Sequence, residues 1–471
     1  MKNKEMKDRL IYNAEIVGGT HGLTCIFPTL RDIVDYEENK RVPIQGYPRF
    51  IPHPFVVAVQ EKHKWNNFEV IAIQTPEAAS FVHSNYFDAP TRDHSEVVIC
   101  NNGIDRYGVI YVTNEYAKSA LSSITNAGVI LNSRKAQRIL ESKKPSEKCG
   151  KLPQMLSNLE EGSSPDLTFL FTSGIAAIYC AINGFLREKT GAVVIGNTYV
   201  DTWKLLNNLP SRFSFKPTIF YNSGSKIDIP NGTSIVFLEI PTNPLLQIED
   251  LASIVNLAHK KGAVVIVDST IASPFHFSPF EYDVDIIVHS TSKSLSGKNN
   301  HMGGVLFVNS QRPDLAQNIL HLPFELDVDE EIILLENLRN FTERIQKMSE
   351  NAIKIVEYLM NNPIVSKAYY PTGLKNGNGH VVSFELKDDS YEIAEVFYDN
   401  CTIQTKGPSM GLEKSMLMPY ALITHYHDSI ETLVSLGLKR YIMRLSVGTE
   451  NPDIIIQNLA NGLNAVAKLN S

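Results

Sequence analysis

The sequence predicts an α/β fold built on a mainly parallel sheet, and two observations support this fold class. Short apolar runs of strand type recur between residues 165 and 310, and amphipathic helical patterns separate them. Strands buried on both faces of a parallel sheet read as continuous apolar runs, and helices cover those faces. With 471 residues, the chain has the length of two or three domains.

The elements of this central region follow from its residue patterns. Strands are predicted at residues 193–195, 235–239, 264–268, 286–290 and 304–308. The clearest helix covers residues 250–260, where Leu251, Ile254 and Val255 share one face and Gly262 ends the pattern. Ligands of such sheets bind at the C-terminal ends of the strands, so the residues that follow each strand are the candidates for a functional site.

The remaining sequence divides into three further parts. Residues 1–65 are rich in proline and aromatic residues with little periodicity, which predicts an extended N-terminal arm that lies on another surface. Residues 66–145 contain three strand-like runs and one helical pattern, typical of an additional α/β segment. The large domain is expected over residues 146–326. A long helical pattern from Asp327 to about Asn361 leads into a smaller α+β domain over residues 327–471.

Composition excludes several classes of function. The net charge of −7 and the pI near 6.0 provide no basic surface for nucleic acid or an anionic membrane. No run of about 18 apolar residues occurs, so no membrane span is expected. The five cysteines are scattered without a CxxC pair, and the charged N-terminus lacks a signal core. We therefore expect a cytoplasmic protein that acts on small molecules.

Polar side chains follow two neighbouring strands of the predicted sheet. Asp268 closes one apolar run, and Lys293 follows the next run with hydroxyls beside it in Ser290-Thr291-Ser292-Lys293. Each residue alone would more often be a loop anchor or a solvated side chain. Together they are expected at one rim, where an amine, an acid and hydroxyls are what pyridoxal 5′-phosphate (PLP) requires. Upstream, Gly174 opens a helix after a strand, a position that favours phosphate.

Four further segments carry specific motifs: residues 239–244, 267–270, 289–293 and 444–448. These motifs and their order along the chain resemble the cystathionine γ-synthase/γ-lyase group of PLP enzymes, which act on cysteine, homocysteine and homoserine esters. The resemblance implies the PLP-dependent transferase fold type I, similar to aspartate aminotransferase. The arm around Tyr47, the 67–145 insertion and residues 296–304 and 406–411 resemble the fungal type of cystathionine γ-synthase.

The resemblance also implies a role for individual residues around the cofactor ring. Lys293 would hold PLP as a Schiff base and then move protons, and Asp268 would keep the pyridine nitrogen protonated. Tyr199 would stack on the ring, and Asn243 would lie near its phenolic oxygen. Tyr199 and Tyr47 are the expected acid/base helpers.

Phosphate and substrate contacts are implied in the same way. The residues expected to cradle the phosphate are Gly174, Ile175, Ser290 and Ser292. Tyr47 and Arg49 would reach the phosphate of a neighbouring subunit, which requires a homodimer at least and leaves a homotetramer open. Arg444 would bind the substrate carboxylate through its planar fork, and Ser409 would line that pocket.

The expected reaction is γ-replacement on O-acetyl- or O-succinyl-homoserine by a thiol such as cysteine. Pro408 stands where many relatives carry glutamate or another larger residue, and that position is linked to reaction choice. A γ- or β-lyase, or a γ-synthase with an unusual nucleophile, therefore stays open, as does a non-catalytic scaffold. No metal is expected, because His425-Tyr426-His427 lacks further ligands at suitable spacing.

Overall fold

A computed structural model describes residues 19–40, 46–48, 50–187, 189–212, 218–319 and 323–469, with the side chains of 208–212 excepted. Three sheets organise this part of the chain. No helix in these ranges combines the length and apolar character that crossing a membrane requires.

Two helices lie within the segment predicted as an extended arm: α1 (Leu30–Glu37) and α2 (Pro54–Lys62). A capping box between Thr29 and Asp32 begins α1. The helix α1 buries Leu30 and Ile33 against the C-terminal domain, whereas α2 packs on the first sheet. The extended conformation is therefore wrong for these residues. Only Leu30 and Ile33 are buried apolar residues of α1, and the apolar residues of α2 form one continuous run, so neither short helix gives a clear helical period.

The first sheet contains β1 (Phe68–Ile73), β2 (Ser95–Asn101) and β3 (Arg106–Thr113), antiparallel in the order β1-β3-β2. Its helices are α3 (Pro76–Tyr86), α4 (Ala89–Asp93), α5 (Ala117–Ala127) and α6 (Ser133–Glu141). Ile130 forms an antiparallel bridge to Ile73 on the free side of β1. This order is that of a ferredoxin-like βαββαβ unit. One face of its sheet joins the large-domain core through Ile71 and Ile110.

The second sheet has seven strands and forms the large domain. Its elements are α7 (Leu152–Ser157), β4 (Thr168–Phe171), α8 (Gly174–Phe185), β5 (Gly191–Ile195), α9 (Val200–Arg212), β6 (Ile219–Tyr221), β7 (Thr233–Glu239), α10 (Leu251–His259), β8 (Val264–Asp268), α11 (Ser273–His276), β9 (Ile286–Ser290) and β10 (Gly304–Val308). The strand order is β4-β10-β9-β8-β7-β5-β6. Strands β9, β8, β7, β5 and β6 run parallel to one another. Strand β10 is antiparallel to both β9 and β4. The predicted mainly parallel α/β sheet is confirmed.

The third sheet belongs to the smaller C-terminal domain. Its elements are α12 (Val328–Asn337), α13 (Phe341–Met360), β11 (Val365–Tyr369), β12 (Val381–Leu386), α14 (Tyr391–Asn400), β13 (Thr405–Lys406), β14 (Met416–Pro419), α15 (Tyr420–Thr424), α16 (Ile430–Ser435), β15 (Met443–Ser446) and α17 (Pro452–Leu469). The order β11-β12-β15-β14-β13 is mixed. This confirms a smaller α+β domain, while the exact domain boundaries stay a prediction.

Candidate active site

A cleft of about 440 Å³ lies where the C-terminal ends of the large-domain strands face the smaller domain. Strands β7, β8 and β9 are parallel neighbours, so their C-terminal ends share one rim. The predicted site residues that line the cleft are Tyr47, Gly174, Ile175, Tyr199, Asn243, Asp268, Ser290, Lys293 and Arg444. The structure thus brings together residues that are far apart in the chain.

Asp268 is the last residue of β8 and lies in the cleft wall. Its carboxylate Oδ1 accepts a hydrogen bond of 3.0 Å from the backbone N–H of Thr270. The Thr270 hydroxyl accepts a bond of 2.8 Å from the N–H of Ser290. Burial raises the pKa of Asp268, and hydrogen bonding by Thr270 and then the nearby His289 oppose that shift. Thr270 thus links the acid to the strand that leads to the lysine.

Lys293 follows β9 and points its amine toward the smaller domain. The Lys293 Nζ donates to the Ser409 hydroxyl over 3.1 Å and lies 4.9 Å from the centroid of the Tyr47 ring. Behind this loop, the hydroxyl of Ser292 accepts from the N–H of Gly303 over 3.0 Å and donates to its carbonyl over 3.3 Å. Ser292 therefore braces the lysine loop, and its contact with the phosphate stays a prediction.

Glycine is required at position 174 by the close approach of two elements. Gly174 begins α8, and a Cβ built on it would lie 2.6 Å from Cβ of Ser290. Ser173 caps the helix, accepting from the N–H of Ala176 over 3.2 Å. The first N–H groups of a helix have no partner within it, so this end presents donors toward the cleft beside the Ser290 side chain.

Arg444 lies on β15 and is buried, with 5% of its surface exposed. Its Nη1 donates to Oδ1 of Asn243 over 3.0 Å, and its Nη2 donates to the carbonyl of Ser409 over 3.3 Å. The Tyr420 ring centroid is 5.2 Å from the guanidinium carbon. Burial lowers the pKa of Arg444, and its Nε has no hydrogen-bond partner among the described residues. A buried donor of this kind suits an anionic ligand.

Glu239 has a role at the site that was not predicted from the sequence, although it begins the specific segment 239–244. The Glu239 Oε2 accepts from the backbone N–H of Tyr199 over 2.6 Å, which holds that residue at the cleft. Glu239 pairs with Asp268 in the sheet register, and burial raises its pKa well above the usual range. The signal available in the sequence was a second carboxylate closing a strand next to that of Asp268.

Tyr47 lines the cleft of the single chain that the structure describes, and its reach to the phosphate of a neighbouring subunit stays a prediction. The preceding segment packs on this chain, with the N–H of Leu23 bonded to the Asn299 carbonyl and that of Phe27 to the Lys406 carbonyl. Arg49, the other predicted member of the pair, lies outside the described residues.

The residues of the cleft fit PLP. The amine of Lys293, the carboxylate of Asp268, and the glycine-dependent approach of α8 to Ser290 supply partners for the aldehyde, the ring nitrogen and the phosphate. His425 and His427 also line the cleft, and His425 bonds to Asp428. Among the described residues, no three His, Cys, Asp or Glu side chains gather as a metal ion would require.

A model of a known protein family matches most of this chain. The profile described as "Cys/Met metabolism PLP-dependent enzyme" matches residues 110–464. The chain belongs to this family. It is therefore a PLP-dependent enzyme of the synthase or lyase type, and the predicted cofactor and fold type are confirmed.

Relatives of the chain carry several activities. It is 27% identical to a cystathionine γ-lyase of Bacillus subtilis, over 66% of this chain and 85% of the relative. It is 31% identical to the fungal cystathionine γ-synthase of Neurospora crassa, over 63% of this chain and 51% of that protein. A solved cystathionine γ-synthase from Xanthomonas oryzae in complex with cystathionine superposes with a TM-score of 0.61, at 26% identity, covering 66% of this chain and 84% of that one.

Proposed function

We propose that this enzyme replaces the γ-substituent of an activated homoserine, O-acetyl or O-succinyl, with a thiol such as cysteine. The supporting observation is that Lys293 and Arg444 meet at one residue. The lysine amine bonds to the hydroxyl of Ser409, and the guanidinium bonds to its carbonyl. A substrate carboxylate on Arg444 would place the adjacent Cα close to the amine of Lys293.

Each side chain at the cleft has a separate role that follows from its position. Arg444 binds the substrate carboxylate, and its Nε provides a donor that no described residue uses. Lys293 moves protons at Cα and Cβ, and the hydroxyls of Tyr47 and Tyr199 assist as acid and base. Bound PLP supplies an electron-withdrawing ring, kept protonated by Asp268, that stabilises negative charge on the substrate carbons. Asn243 would lie beside the phenolic oxygen of that ring.

The net reaction is a substitution without oxidation or reduction. The Cγ–O ester bond breaks, and the acyl group leaves as acetate or succinate. The thiol sulfur forms the new Cγ–S bond, and the thiol proton balances the charge of the departing carboxylate. With cysteine the product is cystathionine.

A γ- or β-lyase is the second candidate, and a γ-synthase with an unusual nucleophile is a variant of the first. Pro408 lines the cleft next to Ser409, where many relatives carry a larger residue. A rigid ring there leaves space for a second substrate, which favours replacement. A non-catalytic scaffold is disfavoured because the amine of Lys293, the carboxylate of Asp268 and the guanidinium of Arg444, which catalysis requires, all line one cleft. A cytoplasmic location and a homodimer or homotetramer complete the proposal.

The test is to offer the purified holoenzyme both homoserine esters, with and without cysteine, and to identify products by mass. Cystathionine formed only when ester and cysteine are both present supports replacement. An α-keto acid and ammonia formed at the same rate without cysteine would establish a lyase instead. Cystathionine offered alone completes the series, because a lyase cleaves it.

A further inference from the structure

The mouth of the active-site cleft is built from three segments that the reaction described above does not use. They are the end of α1, the first turns of α9, and the loop of residues 424–428. Their side chains line the same cleft as Lys293. The end of α1 lies outside the region that the family profile matches.

Glu37 ends α1 with a half-buried carboxylate that faces this mouth. It makes no hydrogen bond or ion pair with any residue in the described ranges. The helix end is nevertheless held in place, because the next residue, Glu38, accepts a bond of 3.0 Å from the hydroxyl of Tyr426. A carboxylate at a helix C-terminus is also on the unfavourable side of the helix dipole. A fixed acid that is unpaired within the described ranges is suited to a ligand cation.

Lys204 lies across the mouth, on the second turn of α9. Its side chain is about half exposed, and its Nζ is 3.9 Å from Oδ1 of Asp201. Burial raises the pKa of Glu37 to about 7 and the positive charge of Lys204 opposes that shift, yet the two side chains form no direct ion pair. The nearby His425 bonds to Asp428 over 2.7 Å. Above about pH 7, Glu37 and Lys204 therefore present opposite charges that are not paired with each other.

We propose that Glu37 and Lys204 bind the amino-acid head group of the incoming thiol, with Glu37 on its ammonium and Lys204 on its carboxylate. This inference rests on the proposed γ-replacement. Arg444 already serves the carboxylate of the first substrate at the deep end of the cleft. The second amino acid must enter through the mouth, and its zwitterion carries two opposite charges that match the pair.

The test compares four nucleophiles at saturating homoserine ester. Cysteine carries both charges, cysteamine lacks the carboxylate, 3-mercaptopropionate lacks the ammonium, and hydrogen sulfide lacks both. Glu37→Gln should raise KM about fivefold for cysteine and cysteamine and leave the other two unchanged. Lys204→Gln should raise KM by a similar factor for cysteine and 3-mercaptopropionate. Glu357→Gln is the matched control, since this exposed carboxylate on α13 is not in the cleft lining.

Equal changes for all four nucleophiles, or no change for any, would overturn the head-group site. The Lys204 variant provides an independent measurement if Glu37→Gln folds poorly. A wild-type enzyme that only eliminates would refute the proposed replacement and still test the site. The distal half of cystathionine carries the same zwitterion, so Glu37→Gln must then raise KM for cystathionine but not for methionine. Equal effects on both substrates would reject the site in that case as well.

Discussion

The two ends of the cleft differ in origin, burial and charge. The deep end is formed by Asp268, Lys293 and Arg444, which lie within the residues that the family profile matches and have defined hydrogen bonds. The mouth is formed in part by α1, outside that match, and there Glu37 is half-buried and Lys204 is exposed. The deep end therefore carries the residues for the cofactor chemistry of the family, and in our proposal the mouth selects the incoming thiol.

The largest expected effect concerns Lys293. Lys293→Ala should lower turnover by roughly 10³-fold or more and remove the visible absorbance of covalently held PLP, because the proton-transfer amine is lost. Lys298→Ala is the control, since this exposed lysine lies on the same loop. Turnover near the wild-type value in the Lys293 variant would show that the deep end does not perform the chemistry.

Asp268→Asn should lower kcat by about 10²-fold while the protein remains folded. An amide cannot stabilise a protonated ring nitrogen, so the electron-withdrawing power of the cofactor falls. The measurement is steady-state turnover, with PLP content determined on the same samples. An unchanged kcat at equal PLP content would remove Asp268 from the ring-nitrogen role.

Arg444→Lys should raise KM for the homoserine ester by about tenfold to thirtyfold, with a smaller change in KM for the thiol. Lysine keeps the charge but cannot form two parallel bonds to a carboxylate, and it loses the contact with Asn243. Separate titrations of ester and thiol distinguish the two constants. A change confined to the thiol would assign Arg444 to the mouth rather than to the deep end.

Tyr47→Phe should lower turnover by about tenfold, through loss of one acid/base group. The structure describes Tyr47 in the cleft of its own chain, and in that arrangement mixing this variant with inactive Lys293→Ala should restore nothing. Activity should remain proportional to the amount of Tyr47→Phe chains, with subunit exchange verified by a tagged protein. A rise above that proportion would mean that Tyr47 serves a neighbouring subunit, as the sequence resemblance implied.

The smallest expected effect is a pH dependence at the mouth. Burial raises the pKa of Glu37 to about 7, so its carboxylate is neutral below that pH and charged above it. KM for cysteamine should therefore fall by a few fold as pH rises through about 7, and KM for 3-mercaptopropionate should not share that step. In Glu37→Gln the step should disappear. A step of equal size in the variant would assign it to another group.

The residues at the C-terminal ends of the strands could be predicted from the sequence, because the pattern that identifies each of them lies within a few neighbouring residues. Asp268 and Lys293 each follow an apolar strand, and parallel strands end at one edge. The contacts of Thr270 with Ser290 and of Tyr420 with Arg444 could not be predicted, because each joins segments that are adjacent only after folding. The ferredoxin-like unit also escaped prediction, since its fourth strand is reduced to a bridge at Ile130.

The position of α1 at the mouth of the cleft could not be predicted from the sequence either. Its eight residues bury only Leu30 and Ile33 among their apolar side chains, too few to stand out in a proline-rich segment. The acid at its end therefore gave no signal until packing on the C-terminal domain brought it to the cleft. Local pattern reveals residues that strands position, and it does not reveal residues positioned by long-range packing.

The central claim is γ-replacement with protons moved by Lys293, and deuterium incorporation tests it most directly. The enzyme is supplied with an acylhomoserine and cysteine in D₂O, and the position of deuterium in the product is measured. The account predicts cystathionine labelled at Cα and Cβ of its homoserine-derived half, because both carbons lose and regain a proton. Cystathionine without deuterium at these carbons would show direct displacement and contradict the account.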